Sequence, residues 1–339
     1  MKRPELLAPA GDMECLETAV HFGADAVYIG GPLLQLRADN VGFDREGIAE
    51  AVKYCHVHGV KLYVTVNCFA KNEEIDAAED YAKYLHSVGV DAVIVSDIGL
   101  IAKIHESAPE LEIHVSTQAN CQNYNSANVY WAMGAKRVVL GREMTLDEII
   151  EFRKRIPEEM EIEAFVHGAM CMSFSGRCLL SQYLNGRDAN RGRCTQPCRW
   201  NYIIYEEKRP EQPLPLYEDK DGTFIMSSRD MCMIEHIPSL MRSGIDSFKI
   251  EGRMKSAYYT AVCANTYRMA IDKYLSDPEN YVYDPIWLDE LESVSHREYA
   301  TGYYFSDCME NANVVTQNGY IREKSYFATA LNECELPLP

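Results

Sequence analysis

FGADAVYIG (Phe22–Gly30), VGVDAVIVS (Val88–Ser96), MGAKRVVLG (Met133–Gly141) and SGIDSFKIE (Ser243–Glu251) repeat one short pattern: a glycine, a charge two residues later, then an apolar run. The glycine supplies the left-handed residue that ends a helix, and the run enters a strand buried on both faces. Between the copies lie amphipathic stretches such as Asp44–Gly59 and Glu73–Gly89, with apolar residues at helical spacing. Strand then helix, repeated, implies a parallel sheet. The expected strands are Leu6–Ala8, Ala26–Ile29, Leu62–Val66, Ala92–Val95, Ile113–Val115, Arg137–Leu140, Ile162–Val166, Phe224–Met226 and Phe248–Ile250. They are one too many for the eight places of a closed barrel, so one is misassigned or lies outside the ring. An open doubly wound sheet would need a nucleotide-binding glycine loop, and neither GxGxxG nor Walker A is present. The expected fold is therefore α/β, a TIM-like (β/α) barrel over residues 1–280. Residues 168–222 interrupt it with a long Cys/Arg-rich insertion. Residues 281–339 read as a truncated C-terminal appendage, the start of a small β-domain.

With 339 residues, 47% of them apolar and 25% charged, the chain can bury a large core and reads as an ordinary soluble protein. Its net charge of −18 argues against gripping nucleic acid by bulk electrostatics, so RNA contact would need a local basic patch. The start, MKRPELLAPAG, has no signal-peptide core, and no apolar run approaches the roughly 18 residues of a membrane span. A cytoplasmic protein without a membrane partner is expected. Twelve cysteines should then be reduced, which favours metal ligation or packing over disulfides.

Four of the twelve fall close together, at Cys171, Cys178, Cys194 and Cys198. Gly176, Gly186 and Gly192 between them permit the sharp turns that would bring four thiolates to one centre. Buried packing is the plainer reading of any single cysteine. The flanks MSFSGR, NGRDANRGR and TQP are polar and turn-forming, however, without the periodicity of a core segment. A six-residue interval fits a zinc knuckle poorly, whereas thiolate clusters tolerate irregular spacing. Arg177, Arg187, Arg191, Arg193 and Arg199 gather here against Asp188 alone, a field suited to an anionic cluster or substrate, or else a solvated basic loop.

EAFVHGAMCMSFSGRCLLS (Glu163–Ser181) and NRGRCTQPCRW (Asn190–Trp200) closely resemble the signature of the collagenase-like peptidase family of unassigned catalytic type. The resemblance runs from ELLAPAGDMECLETAVHFGADAVYIG through SSRDM (Ser227–Met231) and SFKIEGRMKS (Ser247–Ser256) to SHREYATGYY, nearly the whole chain. It implies a barrel-like catalytic domain and a 4Fe-4S cluster on Cys171, Cys178, Cys194 and Cys198. For the family's TrhP-like branch it implies prephenate-dependent hydroxylation of the wobble uridine of certain tRNAs to 5-hydroxyuridine. Other branches act on ribosomal RNA cytidine or in oxygen-independent ubiquinone hydroxylation. Full-length TrhP-like proteins continue into a small β-domain, so a related subunit supplying that domain is a further expected partner.

Residues just past barrel strands face the reaction centre. Here they are Asn67, Asp97, Ser116, Gln118, Arg142, Glu143, His167, Ser228, Glu251 and Arg253. Lys249, Glu251 and Arg253 alternate along KIEGR and should point the same way. They suit a dicarboxylate such as prephenate, with Arg253 gripping it, or else form a buried ion-pair network at the barrel mouth. Catalytic roles fall to His167, Glu251 and Lys249, and substrate binding to Arg142, Arg253, Arg187, Arg191 and Arg193. His167 reads equally as a proton donor beside the cluster or as a satisfied core histidine. Cys15, Cys55 and Cys263 read as core, Cys68 and Cys121 as packing, and Cys308 and Cys334 lie in the appendage. Proteolysis competes with RNA modification only weakly, since HExxH and GxSxG are both missing. A non-catalytic subunit of a hydroxylase complex is the third reading.

Overall fold

A computed structural model describes residues 2–36, 42–200, 227–306 and 320–321, together with the backbone alone of 204–206 and 209–214. Strands β1 (Glu5–Pro9), β2 (Ala26–Gly30), β3 (Lys61–Val66), β4 (Ala92–Val95), β5 (Glu112–Val115), β6 (Arg137–Val139) and β7 (Glu161–Ala169) follow in order, each parallel to the one before. A hairpin of β8 (Ile204–Glu206) and β9 (Arg209–Leu214) comes next, then short β10 (Asp230–Cys232). Finally β11 (Ser247–Ile250) lies parallel between β7 and β1 and closes the ring. The eight ring strands coincide with eight of the nine expected ones. The ninth, Phe224–Met226, lies outside the described residues.

Helices α1 (Met13–His21), α2 (Arg45–Val57), α3 (Ile75–Ser87), α4 (Ile98–Ser107), α5 (Tyr124–Ala132) and α6 (Leu146–Arg153) alternate with the first seven strands. After β7 the chain makes a long excursion carrying α7 (Leu180–Asn185), and only then α8 (Ile237–Arg242); α9 (Ala257–Ser276) follows β11. Asp12, Asp44, Asp97, Asn123, Thr145 and Ser256 each turn a side-chain oxygen onto an N–H of the helix that follows, contributing about 1 kcal/mol apiece. The repeated glycines do what their spacing predicts: Gly23, Gly89, Gly134 and Gly244 end helices at φ +91°, +89°, +91° and +85°.

Residues 281–306 of the expected appendage lie against the barrel. In α10 (Ile286–Glu292) Trp287 and Leu291 are buried, and β12 (Tyr299–Ala300) pairs with β10, which runs antiparallel to the end of β7. Most of 307–339, with Cys308 and Cys334, lies outside the described residues. Among the described residues no helix is long and apolar enough to cross a membrane.

Alternation along the ring strands divides each between two cores. Outward residues pack under the helices, while Leu7, Ala26, Tyr28, Tyr63, Ala92 and Ile94 form a second, smaller cluster of their own. Charge fills the rest of the interior. Arg137 Nη1 stands 3.0 Å from Glu163, and Nη2 stands 2.7 Å from Glu161 and 3.1 Å from Glu5. Lys249 Nζ meets the other oxygen of Glu163 at 2.7 Å, and Tyr63 and Ser247 donate to Glu5. Burial opposes ionisation of Glu163, but Lys249 and Arg137 outweigh it and hold the carboxyl below its usual range.

Glu163→Ala leaves Lys249 charged and alone in the interior, so it should cost about 3–5 kcal/mol in urea unfolding followed by circular dichroism. Replacing the pair together by Leu and Met should recover most of that loss. Burial likewise works against Glu5, yet Arg137 and Tyr63 bring its pKa down to about 2. Its folded value is thus below the unfolded value of about 4.3, and its stabilisation is complete above that pH. Stability should fall as pH drops from about 4.3 toward 2, and Glu5→Gln should flatten that part of the curve.

Candidate functional site

The excursion after β7 has a fixed root. Beyond the ring, Gly168 and Ala169 pair with β10. Asp230 of β10 holds Arg297 through a 2.6 Å ion pair, a 2.8 Å bond from Nε and a 3.0 Å bond from the Arg297 backbone N–H. Both residues are buried, and Arg297 keeps the Asp230 carboxyl below its usual range although burial pushes the other way. Nη2 of Arg297 also donates to the Met170 carbonyl at 3.3 Å, Nη1 donates to Ser228 Oγ at 3.2 Å, and Ser228 Oγ donates to the Met170 carbonyl at 2.7 Å. Met170 directly precedes Cys171, so this clamp sets where the cysteine segment begins.

From there the chain folds back over the barrel mouth. Gly176 adopts φ +74°, and a Cβ there would stand 2.6 Å from the carbonyl of Gln118, just past β5. Arg191 donates to the Phe69 carbonyl at 2.8 Å and to Glu74 at 2.9 Å, tying the excursion to the loop after β3. Inside the excursion, Asn190 Nδ2 donates to the Cys178 carbonyl at 3.0 Å, Asn185 to Thr195 at 2.6 Å, and Thr195 meets Ser181 at 3.1 Å.

The cysteines sort by exposure. Cys171 and Cys194 are exposed and Cys178 and Cys198 half-buried, while Cys15, Cys55, Cys68, Cys121, Cys232 and Cys263 are buried. Burial pushes the Cys198 thiol up and Arg199 draws it back; negative charge on Cys171, Cys194 and Cys178 pushes it up again. Among the described residues these four are the cysteines that are not buried. The left-handed Gln196, at φ +57°, donates its backbone N–H to Cys194 Sγ at 3.4 Å. Among the described residues no three His, Cys, Asp or Glu are arranged to hold a single metal ion.

The other expected residues divide among mouth, interior and wall. Arg142 lies with its guanidinium 3.9 Å above the Phe165 ring, and its buried Nε has no hydrogen-bond partner. Arg253 is buried at the mouth, donating to Gln35 at 2.9 Å and Thr65 at 3.1 Å and to the Leu36 carbonyl. Lys249 is committed to Glu163 inside the ring, its ammonium 4.3 Å from the Tyr28 ring. β11 ends at Ile250, so regular strand alternation covers Lys249 but does not by itself set the direction of Glu251 or Arg253. Arg187 and Arg193 are exposed on the excursion. His167 is buried among Tyr259, Tyr267 and Tyr299, and burial lowers its pKa to about 3, so it is neutral at ordinary pH. Sequence reasoning missed Asp230 and Arg297. Their signal was present in SSRDM and SHREYATGYY, but nothing local pairs residues so far apart.

The profile described as peptidase family U32 matches residues 11–313. The chain belongs to peptidase family U32. Among U32-like relatives, tRNA hydroxylation protein P1 of Bacillus subtilis is 46% identical over 303 residues, covering 89% of this chain and 71% of that protein. The tRNA hydroxylation protein P of Escherichia coli is 39% identical over 89% of this chain and 75% of its own length. A Methanocaldococcus jannaschii protein named as an uncharacterized protease is 42% identical over 91% of this chain and 74% of itself.

In metal-free protein, brief alkylation under native conditions followed by peptide mass spectrometry should label Cys171 and Cys194 first and Cys178 and Cys198 next. The six buried cysteines should label only on unfolding. Rapid native labelling of Cys55 or Cys263 would contradict this arrangement.

Proposed function

We propose that this U32 protein is an RNA-hydroxylating enzyme that converts the wobble uridine of certain tRNAs to 5-hydroxyuridine. Cys171, Cys178, Cys194 and Cys198 would hold a 4Fe-4S cluster, and prephenate or a similar dicarboxylate would be the co-substrate. The observation that carries this reading is the sorting of thiols: four lie exposed or half-buried on one excursion from the barrel while the other described cysteines are buried. The names of the Bacillus and Escherichia relatives support hydroxylation of tRNA. The donor set fits the group, being four thiols with a backbone N–H on one sulfur and Arg199 beside Cys198. A bound cluster would supply a redox-active anionic centre at the mouth.

The chain's own residues do the binding. Arg142, braced on Phe165 and with no ion pair among the described residues, offers its N–H groups to a carboxylate. Arg253 stiffens the opposite lip by holding the segment after β2. Replacing C5–H by C5–OH is a two-electron oxidation, so the co-substrate must deliver an oxygen and leave reduced by two electrons. Proteolysis has less support. Among the described residues no thiol or serine hydroxyl bonds to a histidine, and the neutral His167 is enclosed by tyrosines.

Deleting the gene should remove 5-hydroxyuridine and its derivatives from tRNA nucleosides measured by mass spectrometry. The wild-type chain should restore them and Cys171→Ser should not. Arg142→Ala should weaken co-substrate affinity by roughly 10- to 100-fold, since bonds to charged groups contribute about 1.5–3 kcal/mol. Unchanged tRNA modification in the deletion strain would end this reading. Anaerobic protein holding zinc without iron or sulfide would end the cluster assignment.

A further inference from the structure

The cysteine excursion carries a surface that neither the ring nor the thiols require. Most large apolar side chains of a folded chain are covered, yet here Phe174 is 46% exposed, Tyr183 85% and Trp200 43%. Two arginines of the same excursion, Arg177 and Arg193, are exposed and form no ion pair among the described residues, whereas Arg191 is spent on Glu74. Within residues 171–200 the segment is held together by its own hydrogen bonds. Its α7 is tied to the Cys194–Cys198 turn through Ser181, Asn185 and Thr195, and the Arg187 backbone N–H donates to the Ser181 carbonyl. Between Cys171 and Trp200 the sequence carries five arginines against Asp188 in a chain of net charge −18, so anions meet attraction here and repulsion across much of the remaining surface.

We propose that Phe174, Tyr183 and Trp200, with Arg177 and Arg193, form a stacking surface that takes unpaired bases of an RNA loop while the arginines meet its phosphates. This rests on the reading of the protein as an RNA-modifying enzyme and names the surface by which RNA is held. Exposed rings beside cations suit single-stranded nucleic acid, because every base has a face to stack and every nucleotide a phosphate to pair. A protein partner would cover the rings equally well but gives no reason for unpaired arginines among them. Phe174, Arg177, Arg193 and Trp200 interleave with the four cysteines along the chain, so an RNA loop spread across this surface would deliver a flipped-out base to the mouth.

The test is equilibrium binding of an unmodified tRNA anticodon stem-loop to the full chain, purified anaerobically and followed by fluorescence anisotropy. Tyr183→Ala and Trp200→Ala should each weaken binding by about 5- to 100-fold without changing its salt dependence. Arg177→Ala and Arg193→Ala should each lower the slope of log K against log salt by roughly 0.7. A fully paired duplex of equal length should compete poorly. All four side chains are exposed, so thermal midpoint and iron content should stay at wild-type values and show that folding is intact. Wild-type binding to the stem-loop with unchanged affinity in every variant would overturn this surface and leave the RNA reading standing. Absence of wild-type binding to any tRNA would overturn both. Self-association lost in Tyr183→Ala, with RNA affinity unmoved, would assign the face to a second copy of the chain and overturn the proposal.

Discussion

Arg137 reaches from β6 to Glu5 on β1 and to Glu161 and Glu163 on β7, while Lys249 on β11 takes the free oxygen of Glu163. Four of the eight ring strands, including the three around the closure, are therefore cross-linked inside the barrel. An apolar filling of equal volume would stabilise as well or better, because taking charges out of water costs several kcal/mol per ion. What the network adds is register. Moving β7 by one residue would turn Glu163 out of the barrel and strand two cations. The seam where β11 slots between β7 and β1 is thus the place where a wrong pairing is most heavily penalised.

The site inherits that register. Phe165 follows Glu163 on the inward face of β7 and lies between Lys249 below and Arg142 above. Two residues further on, β7 leaves the ring, and the Asp230–Arg297 pair takes over its end and fixes Met170. The interior network, the aromatic floor of the mouth and the root of the cysteine segment therefore stand on one strand. Its length, nine residues where the other ring strands have three to six, is what allows one element to serve all three.

Much of this was legible in the amino-acid order. Ring strands and helix ends follow from local rules: a glycine that alone accepts positive φ without strain, a capping side chain, an apolar run. The cysteine quartet was visible because polar, glycine-rich flanks cannot be core. KIEGR was less tractable. Its alternation suggested a shared face, but a strand's period holds only as far as its pairing, and β11 ends after Ile250. His167 read equally as a proton donor or as a core histidine, and its side chain packs among tyrosines of α9 and β12.

By itself the sequence determined the barrel, the place of the excursion within it, and which four cysteines differ from the rest. Those properties depend on residues a few positions apart, where chain geometry leaves few choices. Only the tertiary structure decided which charges face each other. Lys249 goes to Glu163, Arg191 to Glu74 and Arg297 to Asp230, while Arg142 keeps no ion pair among the described residues. An ion pair depends on distance through space, and residues 67 or 86 positions apart meet only once the ring has closed.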